Sequence, residues 1–355
     1  MASPLSALLP TLPVPGGPLA SLNSDANLTP NLSAAAAATV GYRGKHFTVP
    51  TLSREGFEIV ADAARNAAVV PTATESPIIA DLNSVWDIRR FMTPRAPVSL
   101  GILTASEQTD FSRPGAPRTL DMPIKFPGSN FRIPKTLEQF RAAIERVAHF
   151  EAAANPDCFD EYYCYMTVDQ GWVKPDTLQR EAPCHVDGFQ GARWSPKVRL
   201  NHTYVVSDAI PTTYYVQPFD LSGLDEAKHN FFWEMNRIVA ETHSAHAWRP
   251  EANEINLIDA YTVHRGTEAT EPTFRTWIRL SFEVRKFDRL GNARNPLFQY
   301  DWEMVPRDIE GLNLVAYDES GDPSLRVFPW QDETGAAHAD PKKRTKPNLK
   351  GVAHS

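Results

Sequence analysis

The stretch YTVHRGTEATEPTFRTWIRLSFEV, residues 261 to 284, decides how the chain is read. It opens on a short strand-like run that ends at His264, passes through a polar turn, and enters a second run carrying Arg275, Trp277, Arg279 and Ser281 at alternate positions. Strand geometry sends alternate side chains to one face, so these four are expected to stand together. An Arg fifteen residues after a His, with Ser two further on, arises by chance about 4% of the time over ten histidines of this composition. A second stretch, APCHVDGFQG at residues 182 to 191, places His185 and Asp187 two apart. A His-x-Asp by itself is expected in roughly half of such chains. Together the two motifs are unlikely to be coincidental.

Strand signals extend on both sides. EYYCYMTVDQGWV, KVRLNHTYVVSD, TTYYVQPF, EINLIDAYTVH and FRTWIRLSFEVRKF are short, rich in aromatic and β-branched residues, and separated by Gly, Pro, Asp or Asn. One helical segment, DEAKHNFFWEMNRIVAETH, lies among them. Before about residue 160 the patterns are helical. TLSREGFEIVADAARNAAVV spaces Phe57, Val60 and Ala61 behind Ser53 as a cap. KTLEQFRAAIERVAHFEAAA pairs Thr136 with Gln139 as a capping box and sets Phe140, Ile144, Val147 and Phe150 on one face, with His149 beside it. Helices followed by many short strands predict an α+β protein built around an antiparallel sandwich or barrel.

Composition narrows the function. Of 355 residues, 42% are hydrophobic and 22% charged, an ordinary globular balance with enough chain for one large domain. No apolar run reaches the roughly 18 residues a membrane span needs. A formal charge of -7 and a pI near 5.8 leave no basic footprint for nucleic acid. Cys158, Cys164 and Cys184 form neither a C-x-x-C nor an even disulfide set, which points to buried small hydrophobes in a reducing cytoplasm. The first 42 residues hold no Lys or Arg, and prolines at 4, 10, 13, 15 and 18 interrupt them, so no targeting signal is read there. Residues 1 to 40 read as a flexible leader and 331 to 355 as a mobile polar tail whose PKKRTK is taken as solvated.

Two imidazoles and one carboxylate on one face of an octahedral cation form the donor set of non-heme Fe(II) oxygenases, which leaves three positions open. An Arg-x-Ser on the strand after the third donor suits a bidentate, hydroxyl-assisted carboxylate clamp. With HVD at 185 to 187, HRG at 264 to 266 and RLS at 279 to 281, the segment from about 182 to 284 resembles the Fe(II)/2-oxoglutarate-dependent dioxygenases. The fifteen-residue step from His to Arg is similar to that of taurine dioxygenases and of cephalosporin ring-expanding enzymes. The resemblance implies a double-stranded β-helix, the cupin-like jelly roll, with flanking helices. Its core would span about 160 to 290 within one oxygenase domain at 41 to 330. It also implies His185, Asp187 and His264 as iron ligands, and Arg279 with Ser281 on the distal carboxylate of 2-oxoglutarate. Thr213, in PTTYY, would lie near the C1 carboxylate. Fe(II), 2-oxoglutarate and O2 would be the reacting set.

Arg275 would hold an anionic group of a small substrate, because a charge inside a barrel must be paired. Trp277, His202 and Tyr204 are the other candidate substrate contacts, each with a plain alternative as barrel filling. Phe189, Trp194, Tyr214 and Tyr215 add aromatic density for a compact, partly apolar molecule. His243 and His246 read as a helix-end pair and Arg265 as a structural ion pair. The expected substrate is a small carboxylate-bearing metabolite, an amino acid being the first guess, oxidised in secondary metabolism by hydroxylation, desaturation or cyclisation. Two alternatives stay open: a non-catalytic metal-binding jelly-roll module, and an iron oxidase that uses O2 without 2-oxoglutarate. Neither nucleic acid nor membrane is expected as a partner, and the oligomeric state is left open.

Overall fold

The computed structural model describes residues 52–66, 76–179, 184–187, 199–224, 231–288 and 291–302, together with the backbone of two strands at 38–42 and 45–49. In chain order the strands are β1 (Ala38–Tyr42), β2 (Lys45–Val49), β3 (Gly56–Ile59), β4 (Val98–Ile102), β5 (Thr119–Lys125), β6 (Phe131–Pro134), β7 (Tyr163–Val173), β8 (His202–Ser207), β9 (Thr213–Tyr215), β10 (Ala247–Trp248), β11 (Glu254–Asp259), β12 (His264–Arg265) and β13 (Thr273–Glu283). The α-helices are α1 (Ala61–Asn66), α2 (Pro77–Asp81), α3 (Ala105–Phe111), α4 (Arg141–Ala154) and α5 (Phe231–Glu241).

The fold is mixed α/β with one large antiparallel sheet of six strands, ordered β4-β11-β8-β13-β7-β5. A smaller antiparallel sheet, β10-β9-β12, is extended by a bridge between His185 and His264. Strand β13 is the spine of the large sheet, paired along its whole length with β7 and along half of it with β8. Its two faces differ. Ile278, Leu280 and Phe282 join Met166, Val168, Tyr204, Val206 and Leu257 in the main core, where Ile144, Val147 and Ala148 of α4 cover them. On the other face Trp277 packs with Val205, Ile258 and Tyr214, the last contributed by β9 of the small sheet. Each such side chain is worth about 1.5–3 kcal/mol on burial, so both faces stabilise the sheet.

The strands expected after residue 160 form, but the large sheet also recruits β4 and β5 from the part read as helical. Residues 56 to 59 are strand β3, paired with β6, rather than the start of a helix. There Gly56 packs so closely that a Cβ would collide with the Ile133 carbonyl, a cross-strand fact invisible in helical spacing. Ser53 Oγ accepts from the nearby Glu55 N–H instead of capping α1. The capping box at Thr136 also fails to form. Residues Lys135–Phe140 make a 3-10 turn after Pro134, and the Gln139 amide donates to the carbonyls of Phe111 and Arg113. All three cysteines are free and buried. Among the described residues no helix is long and apolar enough to cross a membrane. The leader read at 1–40, except for backbone strand at its end, and the tail at 331–355 lie outside the described residues, as do Phe189 and Trp194.

Candidate metal centre

His185 and Asp187 alternate with Cys184 and Val186, and period two splits them. Cys184 and Val186 enter an apolar cluster with Phe231, Met235 and Val239 of α5, which turns His185 and Asp187 the other way. Helix α5 holds this short segment by its backbone: the Cys184 N–H donates to Asn236 Oδ1 at 3.1 Å, and Asn236 Nδ2 donates to the Cys184 carbonyl at 3.5 Å. The His185 ring also meets the Phe232 ring edge-on at 6.0 Å.

His264 arrives from a turn. Asp259 Oδ1 accepts from Thr262 Oγ1 at 2.7 Å and from the Tyr261 N–H at 3.1 Å, while its Oδ2 is paired with buried Arg95 at 2.5 Å. That turn presents the Thr262 carbonyl to His264 Nδ1 at 2.9 Å. A carbonyl can only accept, so Nδ1 is the donor here and Nε2 is the ring nitrogen left for a metal. The backbones of His185 and His264 exchange two hydrogen bonds of 2.9 Å, which places both rings on one side with centroids 4.4 Å apart. Ligand-capable atoms of His185, Asp187 and His264 then all lie within 4.8 Å of one another.

The large sheet meets this group through Arg279. Its Nη1 donates to Asp187 Oδ1 at 2.9 Å and its Nη2 to Asp121 Oδ1 at 2.8 Å, whereas its Nε–H is buried without a hydrogen-bond partner. Burial works against the guanidinium charge, but Asp187 and Asp121 outweigh it and hold the group above its ordinary range. Ser281, two residues on and on the same face, accepts from Thr203 Oγ1 at 3.3 Å, which leaves its own hydroxyl proton to donate. Trp277 is buried between the sheets, 6.0 Å from the Arg279 carbon.

Three candidate residues fall elsewhere. Thr213 pairs in register with Arg265, so it stands on the face of the small sheet away from His264 and bonds Thr267 and Arg249. Its neighbour Tyr214 pairs with His264 and faces the site, its ring 5.8 Å from the imidazole. Burial raises the Tyr214 phenol far above its ordinary value, and the Asp187 charge adds to it. His202 and Tyr204 pair with Phe282 and Leu280, on the core face of the sheet, so they belong to the packing against α4 and not to a substrate pocket. Arg275 shares the strand face of Arg279 but lies about 13 Å along it. Its side chain is buried, donating from Nε to the Ala209 carbonyl at 3.0 Å and from Nη1 to Gln179. His243 and His246 are exposed beyond the end of α5.

Sequence reasoning missed Asp121 and gave Tyr214 only a general place. Asp121 stands in TLDMPIK with φ of 44°, where the register of β5 against β7 slips between Thr119 and Met122. Left-handed backbone at a non-Gly residue costs about 1–3 kcal/mol and needs support. Thr167 supplies it, accepting from the Asp121 N–H and donating to Oδ1, both at 3.0 Å. The available signal was one buried-type carboxylate inside an apolar strand pattern.

No family model matches the chain, and no curated protein does. Among the solved structures similar to it are AviO1 from Streptomyces viridochromogenes Tue57, at 14% identity over 55% of this chain and 92% of that one, and a non-heme monooxygenase, ThoJ, in complex with nickel, at 13% over 62% and 88%. Both have a TM-score of 0.27, too low to carry an argument, so the functional reading rests on the residues.

Proposed function

We propose that this chain is a mononuclear non-heme Fe(II) oxygenase that uses 2-oxoglutarate and O2 to oxidise a small carboxylate-bearing metabolite. The observation that carries it is the convergence of His185, Asp187 and His264, from two distant segments, to within 4.8 Å. The donor types fit Fe(II): two imidazoles and one carboxylate, with Nδ1 of His264 engaged by the Thr262 carbonyl. Two donors with capacity left fit the distal carboxylate of 2-oxoglutarate, namely the orphaned Arg279 Nε–H and the Ser281 hydroxyl. We read the two facing sheets as a double-stranded β-helix core.

When bound, the metal and 2-oxoglutarate supply O2 activation coupled to decarboxylation, giving succinate and CO2 for each substrate oxidised. The residues of this chain do the rest. Arg279 orients Asp187, and its Nε–H with the Ser281 hydroxyl would hydrogen-bond the distal carboxylate of the co-substrate. Trp277, Tyr214, Val205 and Ile258 form a dry wall between the sheets that limits water at the site. Arg275, bound to Ala209 and Gln179, orders the strand end on which a substrate carboxylate would rest.

Anaerobic titration tests this reading. Native protein is expected to bind one Fe(II) and, on adding 2-oxoglutarate, to develop a visible charge-transfer band, then release succinate with O2. His264→Ala is expected to lower Fe(II) affinity by more than the roughly 100-fold upper range seen for outer-sphere changes. Iron binding without the band would favour an oxidase that uses O2 alone or a binding module, and unchanged affinity in His264→Ala would overturn the metal centre itself.

A further inference from the structure

The geometry points to Asp121 as a positioning residue for the metal ligand Asp187, acting through Arg279; the inference rests on the metal centre proposed above. Arg279 of β13, Thr167 of β7 and Asp121 of β5 form one row across the sheet, since Arg279 pairs in register with Thr167 and Thr167 holds Asp121 by two hydrogen bonds. The guanidinium is gripped at both ends: Nη2 by Asp121 at 2.8 Å and Nη1 by Asp187 at 2.9 Å. Asp121 is 5% exposed and sits at the irregularity of β5, whose left-handed backbone turns its carboxylate toward β13.

This arrangement has a consequence for a cation held by His185, Asp187 and His264. Asp121 draws off part of the guanidinium charge, so Asp187 keeps electron density for a metal. Removing the Asp121 charge reverses this: Arg279 turns wholly toward Asp187 and competes with the metal for it, which sets the sign of the outcome. Partners behind a metal ligand are typically worth 10–100-fold in metal affinity.

The test is calorimetric titration of metal-free full-length protein with Co(II), comparing native, Asp121→Asn, Arg279→Gln, the double variant and His264→Ala. Asn tolerates left-handed backbone, so the strand is kept. Asp121→Asn is expected to weaken Co(II) binding by about 10–100-fold and to alter the ligand-field spectrum of the bound Co(II). In the Arg279→Gln background the same substitution is expected to lose most of that effect, because its route to Asp187 is gone. Native affinity in Asp121→Asn, or an equal loss with and without Arg279, overturns the inference. Should Asp121→Asn not fold, Thr167→Val keeps every charge while releasing the Asp121 carboxylate. It is expected to weaken Co(II) several-fold, and unchanged affinity there overturns the inference equally. If His264→Ala binds Co(II) as the native chain does, the metal centre fails first, a result separate from the role of Asp121.

Discussion

On the α4 face of the large sheet, Glu151 accepts from His202 Nε2 at 2.7 Å, Tyr204 Oη at 2.6 Å and Asn155 Nδ2 at 2.9 Å. On the opposite face Asp187 and Asp121 share the Arg279 guanidinium, and two imidazoles stand beside Asp187. Both clusters are carboxylate-centred and both sit on β8 or β13, yet they do opposite things. The first closes on itself under α4, with Glu151 and His202 at 0% and 1% exposure. The second gathers lone pairs from three residues toward one point, and His185 and Asp187 are only half-buried. A buried histidine beside a carboxylate is therefore weak evidence for a site; convergence of donors that remain accessible is stronger.

The sharpest way to break this division is Glu151→Ala. It strands His202 and the Tyr204 hydroxyl in the core and is expected to destabilise the fold by about 3–5 kcal/mol. Metal affinity should stay within about twofold, since the sites share no partner. Urea unfolding and Co(II) titration measure the two quantities. A tenfold loss of affinity would mean the faces are coupled through the sheet.

The next effect is acid sensitivity. Complete burial works to raise the Glu151 carboxyl, but the charge and hydrogen bond of His202, with Tyr204 and Asn155, leave it below its ordinary 4.5. Its stabilising contribution is then full above that value and is lost as pH falls through the lower, folded-state value, because the unfolded chain takes up the proton first. Native protein should exceed Glu151→Gln in stability by a constant margin down to about pH 4.5, and the margin should narrow below it. A margin that grows on acidification would contradict a Glu151 carboxyl held below its ordinary value.

Smallest is Ser281→Ala on the site face. It removes one hydroxyl donor, worth about 1 kcal/mol or roughly fivefold. Under the proposed function the expected reading is a KM for 2-oxoglutarate raised by about that factor, with little change in kcat or Tm. No change in KM would remove Ser281 from the proposed co-substrate site and sharpen the division to Arg279 alone.

Period two made much of this legible. The strand at 273–283 and the shared face of Arg275, Trp277, Arg279 and Ser281 follow directly from alternation. The same rule separates His185 and Asp187 from Cys184 and Val186. It was less use where face depended on a partner. Thr213 and Tyr214 look interchangeable in PTTYY, and only the pairing of Tyr214 with His264 decides which one faces the site. His202 and Tyr204 alternate as any strand does, and nothing local says that their face belongs to α4. Helical spacing holds at Ala61–Asn66 in α1, but at 56–59 it was outvoted by the pairing of β3 with β6.

By itself the sequence determined the strand-rich second half, the two motifs and the residue types able to hold a divalent metal, because these depend on neighbours one to four positions apart. Tertiary structure alone decided that His185 bridges His264, that β5 closes the edge of the sheet, and that Asp121 reaches Arg279 across β7. The physical reason is range: backbone propensity and alternation act locally, whereas register, strand order and the aim of a buried charge are settled by contacts between segments about 40 to 160 residues apart.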